Sequence, residues 1–252
     1  MKDLSFHCTA CGKCCKSTLL DLLPDEALEW AANGGELGFS AQLLYEVENS
    51  PVRMSDWMIS RSFAARSGKR NIRVLPHLYG MVSGTCHHLM ENMCQIYDRR
   101  PQVCQVYPAE VTEPIDTWEI DPKEKSCPPE AWSGAPFTRG KRLLSTRPER
   151  ALIFDFQQRQ QESVEFMRLL ALEENFDTGT PHVAGRVVYR LPTERLAHAL
   201  TVAKDRIGDS RPSSDWWHFY ETNPDSISYL KRERVHVVGV MKSLSARAIF
   251  VP

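Results

Sequence analysis

The strongest periodicity in the chain lies late. From Pro148 through about Asn175, apolar side chains at Leu152, Phe156, Val164, Met167 and Leu170 recur at near-helical spacing between polar runs such as QQRQQE. This predicts an amphipathic helix whose stripe needs a partner to cover it. PTERLAHALTVAKDRIG offers one, a second helix with Thr193 as its cap, and VHVVGVM and AIFV read as late strands. Earlier, DLLPDEALEWAANGG predicts a helix with Pro24 in its first turn, acidic residues beside it and Gly34 or Gly35 at its end. A helix starting at Ser40 and another over MSDWMISRSFAARSG are expected to follow. The short β-branched or aromatic runs NIRVL, LYGMVS and CQIY, broken by Pro and Gly, predict strands of a small sheet. DRRPQVCQVYP predicts one or two helical turns with Asp98 as N-cap and Pro101 in the first turn.

These elements predict an α+β chain. CPPEAWSGAPFTRGKR is dense in Pro, Gly and Ser and lacks periodicity, so a boundary is placed near residue 135. Residues 1–135 are then a small cysteine-rich domain of short strands and helices, and 136–252 a mainly helical region. Lys plus Arg (31) balance Asp plus Glu (32), which gives no global field to draw nucleic acid or an anionic membrane. The WWHFY cluster at 216–220 and the basic runs RGKR and KRER are read as core packing and solvated charge. No run approaches the ~18 uncharged apolar residues of a membrane span, and MKDLSFHC does not resemble a signal peptide, so the expected compartment is the cytoplasm.

The cysteines change the picture from fold to chemistry. All eight, Cys8, Cys11, Cys14, Cys15, Cys86, Cys94, Cys104 and Cys127, precede the final 125 residues. In a reducing compartment such a pattern points to metal rather than to disulfides. Cys-x2-Cys lets the chain turn and aim two sulfurs at one ion, and Gly12 suits that turn because it accepts a positive φ. The unit overlaps itself as Cys8-x2-Cys11-x2-Cys14, the spacing that supplies three thiolates to an iron–sulfur cluster in bacterial ferredoxins. Cys15 is the odd member: in an extended chain neighbouring side chains point to opposite sides, so Cys14 and Cys15 suggest two destinations. Eight thiols make two sets of four, an arithmetic that permits two sites without assigning them. The other four thiols, separated by 7, 9 and 22 residues, contain no second Cys-x2-Cys, so the fold must gather them.

CTACGKCC, then Cys86, then CQIYDRRPQVCQVYP, and finally Cys127 resemble the YkgJ-like cysteine cluster family, described as zinc- or iron-chelating with eight cysteines. The resemblance covers roughly residues 6–130 and implies that all eight cysteines are metal ligands. Met93 stands where a Gly is expected and Gln105 where an Arg often follows the cysteine. The implied cofactor is an iron–sulfur cluster, of the four-iron type by preference, or zinc. His7, His87 and His88 are assigned to the surroundings of the thiols, Arg99 and Arg100 either to offsetting thiolate charge or to ordinary surface charge after a strand, and Tyr97, Pro101, Tyr107 and Pro108 to packing and turns. The expected partners are the metal and a protein. The alternative reading is a protein-modifying enzyme resembling flagellin lysine N-methylase, although no glycine-rich motif for S-adenosylmethionine is present.

Overall fold

The computed structural model describes residues 3–45, 54–115, 117, 119–140, 142–181, 186–206, 217–221, 224–235, 237–238 and 248–251. In chain order these form a 3-10 turn at Lys13–Cys15, β1 (Lys16–Asp21), α1 (Pro24–Ala32), β2 (Glu36–Leu44), α2 (Asp56–Ser60), β3 (Phe63–Ser67) and the long β4 (Arg70–Thr85). A small hairpin of β5 (Leu89–Met90) and β6 (Met93–Cys94) follows, then α3 (Gln102–Val106) and a second hairpin of β7 (Thr138–Arg139) and β8 (Arg142–Leu143). The remainder comprises α4 (Glu149–Glu162), α5 (Val164–Glu173), β9 (Thr178–Gly179), β10 (Arg186–Leu191), α6 (Thr193–Arg206), β11 (His218–Tyr220), α7 (Pro224–Arg232), β12 (Val237–Val238) and β13 (Ala248–Val251). The chain is α+β. No helix among the described residues is long and apolar enough to cross a membrane.

Two compact units form, and both are discontinuous: Met1–Gly35 with Tyr79–Arg159, and Glu36–Leu78 with Gln160–Pro252. The boundary expected near residue 135 therefore falls inside the first unit. After residue 136, helices α4–α7 alternate with strands β7–β13, so that stretch is mixed rather than mainly helical.

In the first unit, β1 runs antiparallel to the end of β4, from Thr18 opposite Val82 to Asp21 opposite Tyr79. The core gathers Phe6, Leu23, Val106, Phe137, Ile153 and Phe156, each at most 9% exposed. Burying one such side chain contributes about 1.5–3 kcal/mol. Helix α1 begins at Pro24, as its sequence predicts, and ends at Asn33 with Gly34 at a φ of 85°. Its N-terminus is closed by Glu26, which accepts the Leu23 N–H at 3.0 Å and, with its other oxygen, the Gln102 N–H at 2.7 Å. One part-buried carboxylate thus serves both α1 and α3, and Asp98, expected as the cap, lies instead inside a 3-10 turn at Tyr97–Arg99.

Trp30, 3% exposed, decides where the chain leaves this unit and returns. A Cβ on Gly35 would stand 2.2 Å from the indole Nε1, and one on Gly80 2.8 Å from Cε2. Both glycines make room for the same ring. NIRVL and LYGMVS, expected as separate strands, are one strand, β4. Pro76 lies within it between Val74, the last residue paired with β3 along the ladder, and Tyr79, the first paired with β1.

In the second unit, β2 pairs antiparallel with β10, and β10 with β13. Strand β3 pairs with the start of β4, while β11 is the middle of a parallel trio with β9 and β12. The helix expected from Ser40 is instead β2, buried from Leu37 to Ala41 without alternation. A strand covered on both faces loses the period of two, and its apolar run then reads as readily as a helix. The helix expected over residues 54–68 stops at Ser60, where Ser62, Phe63 and Ala65 turn inward as β3 begins. The late amphipathic stripe is two helices meeting at Ser163: α4 sends Ile153 and Phe156 into the first unit's core, whereas α5 buries Met167, Leu169 and Leu170. Trp217, Phe219 and Tyr220 are core residues, while Trp216, Lys141, His236 and residues 239–241 of the sequence motifs lie outside the described residues.

Gly80→Ala is expected to destabilise the protein by about 1–3 kcal/mol by overpacking Trp30. Urea unfolding measures it; an unchanged midpoint would show that the indole has room to move.

Candidate metal centre

The first four thiols are placed by left-handed backbone. Ala10 has a φ of 52° and Gly12 a φ of 68°, and Gly12 caps the 3-10 turn at Lys13–Cys15, accepting the Cys15 N–H at 3.1 Å. The positive φ expected at Gly12 is present. A Cβ there would also meet Leu89 at 3.1 Å, so the position favours glycine twice. Cys14 and Cys15 lie on this turn and not on an extended chain. Successive side chains on a 3-10 turn are rotated by about 120° rather than reversed. Cys14 and Cys15 hydrogen-bond each other through their thiols, and both face the same cavity.

The distant thiols arrive by different routes. Cys86 follows β4, and its N–H donates to the Cys15 carbonyl at 2.9 Å. The β5–β6 hairpin turns through Glu91 and Asn92, at φ values of 49° and 64°, and its register sets Cys94 opposite Leu89. The left-handed residues precede Met93, which explains why no glycine is needed there; Met93 is 61% exposed. Cys104 rides on α3, the helix that Glu26 caps. Cys127 comes beside the N-terminus because the Phe6 and His7 N–H groups donate to the Ala135 and Ala131 carbonyls, at 3.2 and 2.9 Å.

All eight cysteines carry free thiols and line one cavity of about 520 Å³. Among the described residues, no three Cys, His, Asp or Glu side chains stand together as they would around a bound ion. The donor set itself suits zinc or iron, since soft thiolates select those metals over magnesium or calcium.

The thiols differ in acidity. Cys14 is lowered to about 7, first by the hydrogen bond from Cys15, and also by its own N–H and by Arg100. Cys15 is pushed up by the same hydrogen bond, from the donor's side, and by burial. Burial raises Cys104 to about 12 and Cys127 to about 11. The Arg100 guanidinium lies 3.7 Å from the centre of the Tyr97 ring and acts on both Cys14 and Cys104, so it offsets thiolate charge as expected.

Tyr97 and Tyr107 do more than pack. Tyr97 hydrogen-bonds Cys8, and Tyr107 hydrogen-bonds Cys127 while accepting the Ser126 N–H at 3.0 Å. Their signal was present in CQIY and CQVY, the same Cys-Gln-x-Tyr spacing twice. Gln105 uses its amide on the Arg100 carbonyl at 2.6 Å. The histidines sit around the thiols. His88 donates its backbone N–H to the Cys86 sulfur, His87 and His88 pack against Trp30, and His7 Nδ1 lies 3.0 Å from the Ser133 carbonyl. Arg147 and Glu149, an ion pair at 2.6 Å on the cavity wall, had no signal in the motif spacing.

In reduced, metal-stripped protein at pH 7, iodoacetamide is expected to label Cys14 well ahead of Cys104, because about half of the Cys14 thiol is ionised and almost none of Cys104. Cys15→Ala, which removes the main cause, is expected to slow Cys14 labelling, and Cys15→Ser, which keeps a donor, to slow it less. Peptide mass mapping of the labelled thiols reads the order.

No curated protein and no solved structure matches this chain. Residues 7–128 match the family model CxxCxxCC, described as "Putative zinc- or iron-chelating domain". That span opens one residue before Cys8 and closes one residue after Cys127, so it encloses the cavity's eight thiols and nothing of the late helices. Over residues 7–128, just under half of its length, the chain is similar to the CxxCxxCC domain family.

Proposed function

We propose that this protein binds zinc or iron through Cys8, Cys11, Cys14, Cys15, Cys86, Cys94, Cys104 and Cys127. The observation that carries the reading is the convergence of all eight thiols on one cavity, from positions spread over 120 residues of a span similar to the chelating family. Burial that keeps Cys104 and Cys127 protonated at neutral pH has a direct consequence: metal must displace their protons, so affinity rises with pH. Arg100 remains in the cavity to offset the excess negative charge that four thiolates leave around a divalent ion.

The finer reading is an iron–sulfur cluster. It is supported by the Cys8-x2-Cys11-x2-Cys14 run and by a cavity of about 520 Å³, ample for more than a single ion. A cluster would supply one-electron chemistry, and zinc a fixed structural cross-link. In either case this chain's residues collect the thiols, hydrogen-bond two of them through Tyr97 and Tyr107, and balance their charge.

Protein purified without air is expected to be brown, bleachable by dithionite, and to contain iron and sulfide. Colourless protein with stoichiometric zinc would overturn the cluster and keep the metal. Because metal binding is also folding energy, on the order of 10 kcal/mol for a structural zinc site, Cys11→Ser is expected to lose metal and melt well below wild type. Equal metal content and equal melting of the two proteins would overturn the metal-binding reading.

A further inference from the structure

Eight thiols exceed what one four-coordinate centre takes, and they are not spread evenly around the cavity. The thiols that act on Cys127 through space are Cys14, Cys11 and Cys8. Those that act on Cys104 are Cys14, Cys86 and Cys94. Cys15 feels Cys86 and Cys104 besides its neighbour Cys14, and Cys86 feels Cys94 and Cys14. Cys14 acts on thiols of both groups.

Backbone geometry carries the division: β1, which begins directly after Cys15, sets Lys16 opposite Thr85, the neighbour of Cys86, and packs against α3, the helix that carries Cys104. The His7 N–H to the Ala131 carbonyl at 2.9 Å sets the Cys8 loop beside the Cys127 segment. The Cys86 N–H to the Cys15 carbonyl at 2.9 Å ties those two, and the Leu89 N–H to the Cys86 carbonyl at 2.9 Å brings in Cys94, which pairs with Leu89. Cys14 belongs with Cys8 and Cys11 by its place in the Cys-x2-Cys series, which leaves Cys15 to the other group.

We propose that the cavity is built as two adjoining four-thiol sites, Cys8, Cys11, Cys14 and Cys127 in one and Cys15, Cys86, Cys94 and Cys104 in the other, each taking its own metal centre. This rests on the metal-binding reading above and adds the division of its ligands. The sites meet at Cys14 and Cys15, whose thiols already hydrogen-bond. Arg100 stands at that junction, acting on Cys14 of one set and Cys104 of the other. The two Cys-Gln-x-Tyr repeats bridge the sets: Cys94 and Cys104 belong to the second, while Tyr97 and Tyr107 hydrogen-bond Cys8 and Cys127 of the first. When a divalent ion enters a set, the protons of its thiols pass to solvent as four sulfur–metal bonds form.

The test is an anaerobic titration of reduced, metal-stripped full-length protein with Co²⁺, followed by the thiolate-to-cobalt charge-transfer band. Wild type is expected to saturate at two equivalents. Cys11→Ser, Cys127→Ser, Cys94→Ser and Cys104→Ser are each expected to lose one equivalent and keep the other. Double variants separate the sets: Cys11→Ser with Cys127→Ser keeps one equivalent, whereas Cys11→Ser with Cys94→Ser keeps none. Circular dichroism identifies any variant that fails to fold, and its set-mate then stands for that site. Saturation of wild type at one equivalent, or folded single variants that lose both, would overturn the division while leaving metal binding intact. Failure of wild type to bind Co²⁺, Zn²⁺ or iron would overturn both.

Discussion

Eight thiols facing one cavity cannot all lose their protons unless positive charge arrives with them. That constraint organises the cysteine-rich unit. Without a cation the thiols settle into unequal states: Cys14 takes the negative charge at moderate pH because Cys15 hydrogen-bonds it, and burial holds Cys104 and Cys127 protonated. Ionising one thiol raises its neighbours, so acidity is shared around the cavity rather than owned by single residues. Arg100 supplies one fixed positive charge, which acts on Cys14 and Cys104. Among the described residues the thiols are gathered on one cavity without three of them standing together as they would around an ion.

The supporting structure is economical. Glu26 holds the start of α1 and the start of α3 with a single carboxylate, which fixes the helix that carries Cys104. Burial raises the Glu26 pKa while the Leu23 and Gln102 N–H groups act in the opposite direction, so the group is kept by its hydrogen bonds rather than by solvent. Trp30 is the other fixed point. It covers Gly35 and Gly80 on one side and meets His87 and His88, the residues that directly follow Cys86, on the other. Packing around one indole therefore reaches the thiol cavity within a few residues.

The site was far more legible than the fold. Cys-x2-Cys-x2-Cys-Cys and the Cys-x-Ile-Tyr run identify a chelating chemistry because ligand spacing is a local property, and local properties survive in a sequence. Gly12 was legible for the same reason. The side on which Cys15 faces was not, because that depends on whether the backbone at Lys13–Cys15 is extended or turned, and the residue types permit both. Strand β2 was hidden by its complete burial between Leu37 and Ala41, and the late stripe of apolar residues concealed a break at Ser163 because α4 and α5 bury theirs in different units. Tertiary cover, not local preference, decides such cases.

The largest departure from a linear reading explains the long gap between Cys15 and Cys86. Residues 36–78 build the second unit with residues 160–252, so the chain leaves the cysteine-rich unit in the middle of its ligand set and returns to finish it. A span separated by that many residues looks like a loop when ligands alone are tracked. It is a piece of another folded unit, and the cysteine-rich unit stays intact because the exit at Gly35 and the return near Gly80 are held against the same side chain, Trp30. The order of the cysteines along the chain is consequently a poor guide to their grouping in space: Cys15 lies nearer in sequence to Cys8 than to any later thiol, yet its carbonyl accepts the N–H of Cys86. The tryptophan that closes the excursion is thus also what allows thiols from both sides of it to line one cavity.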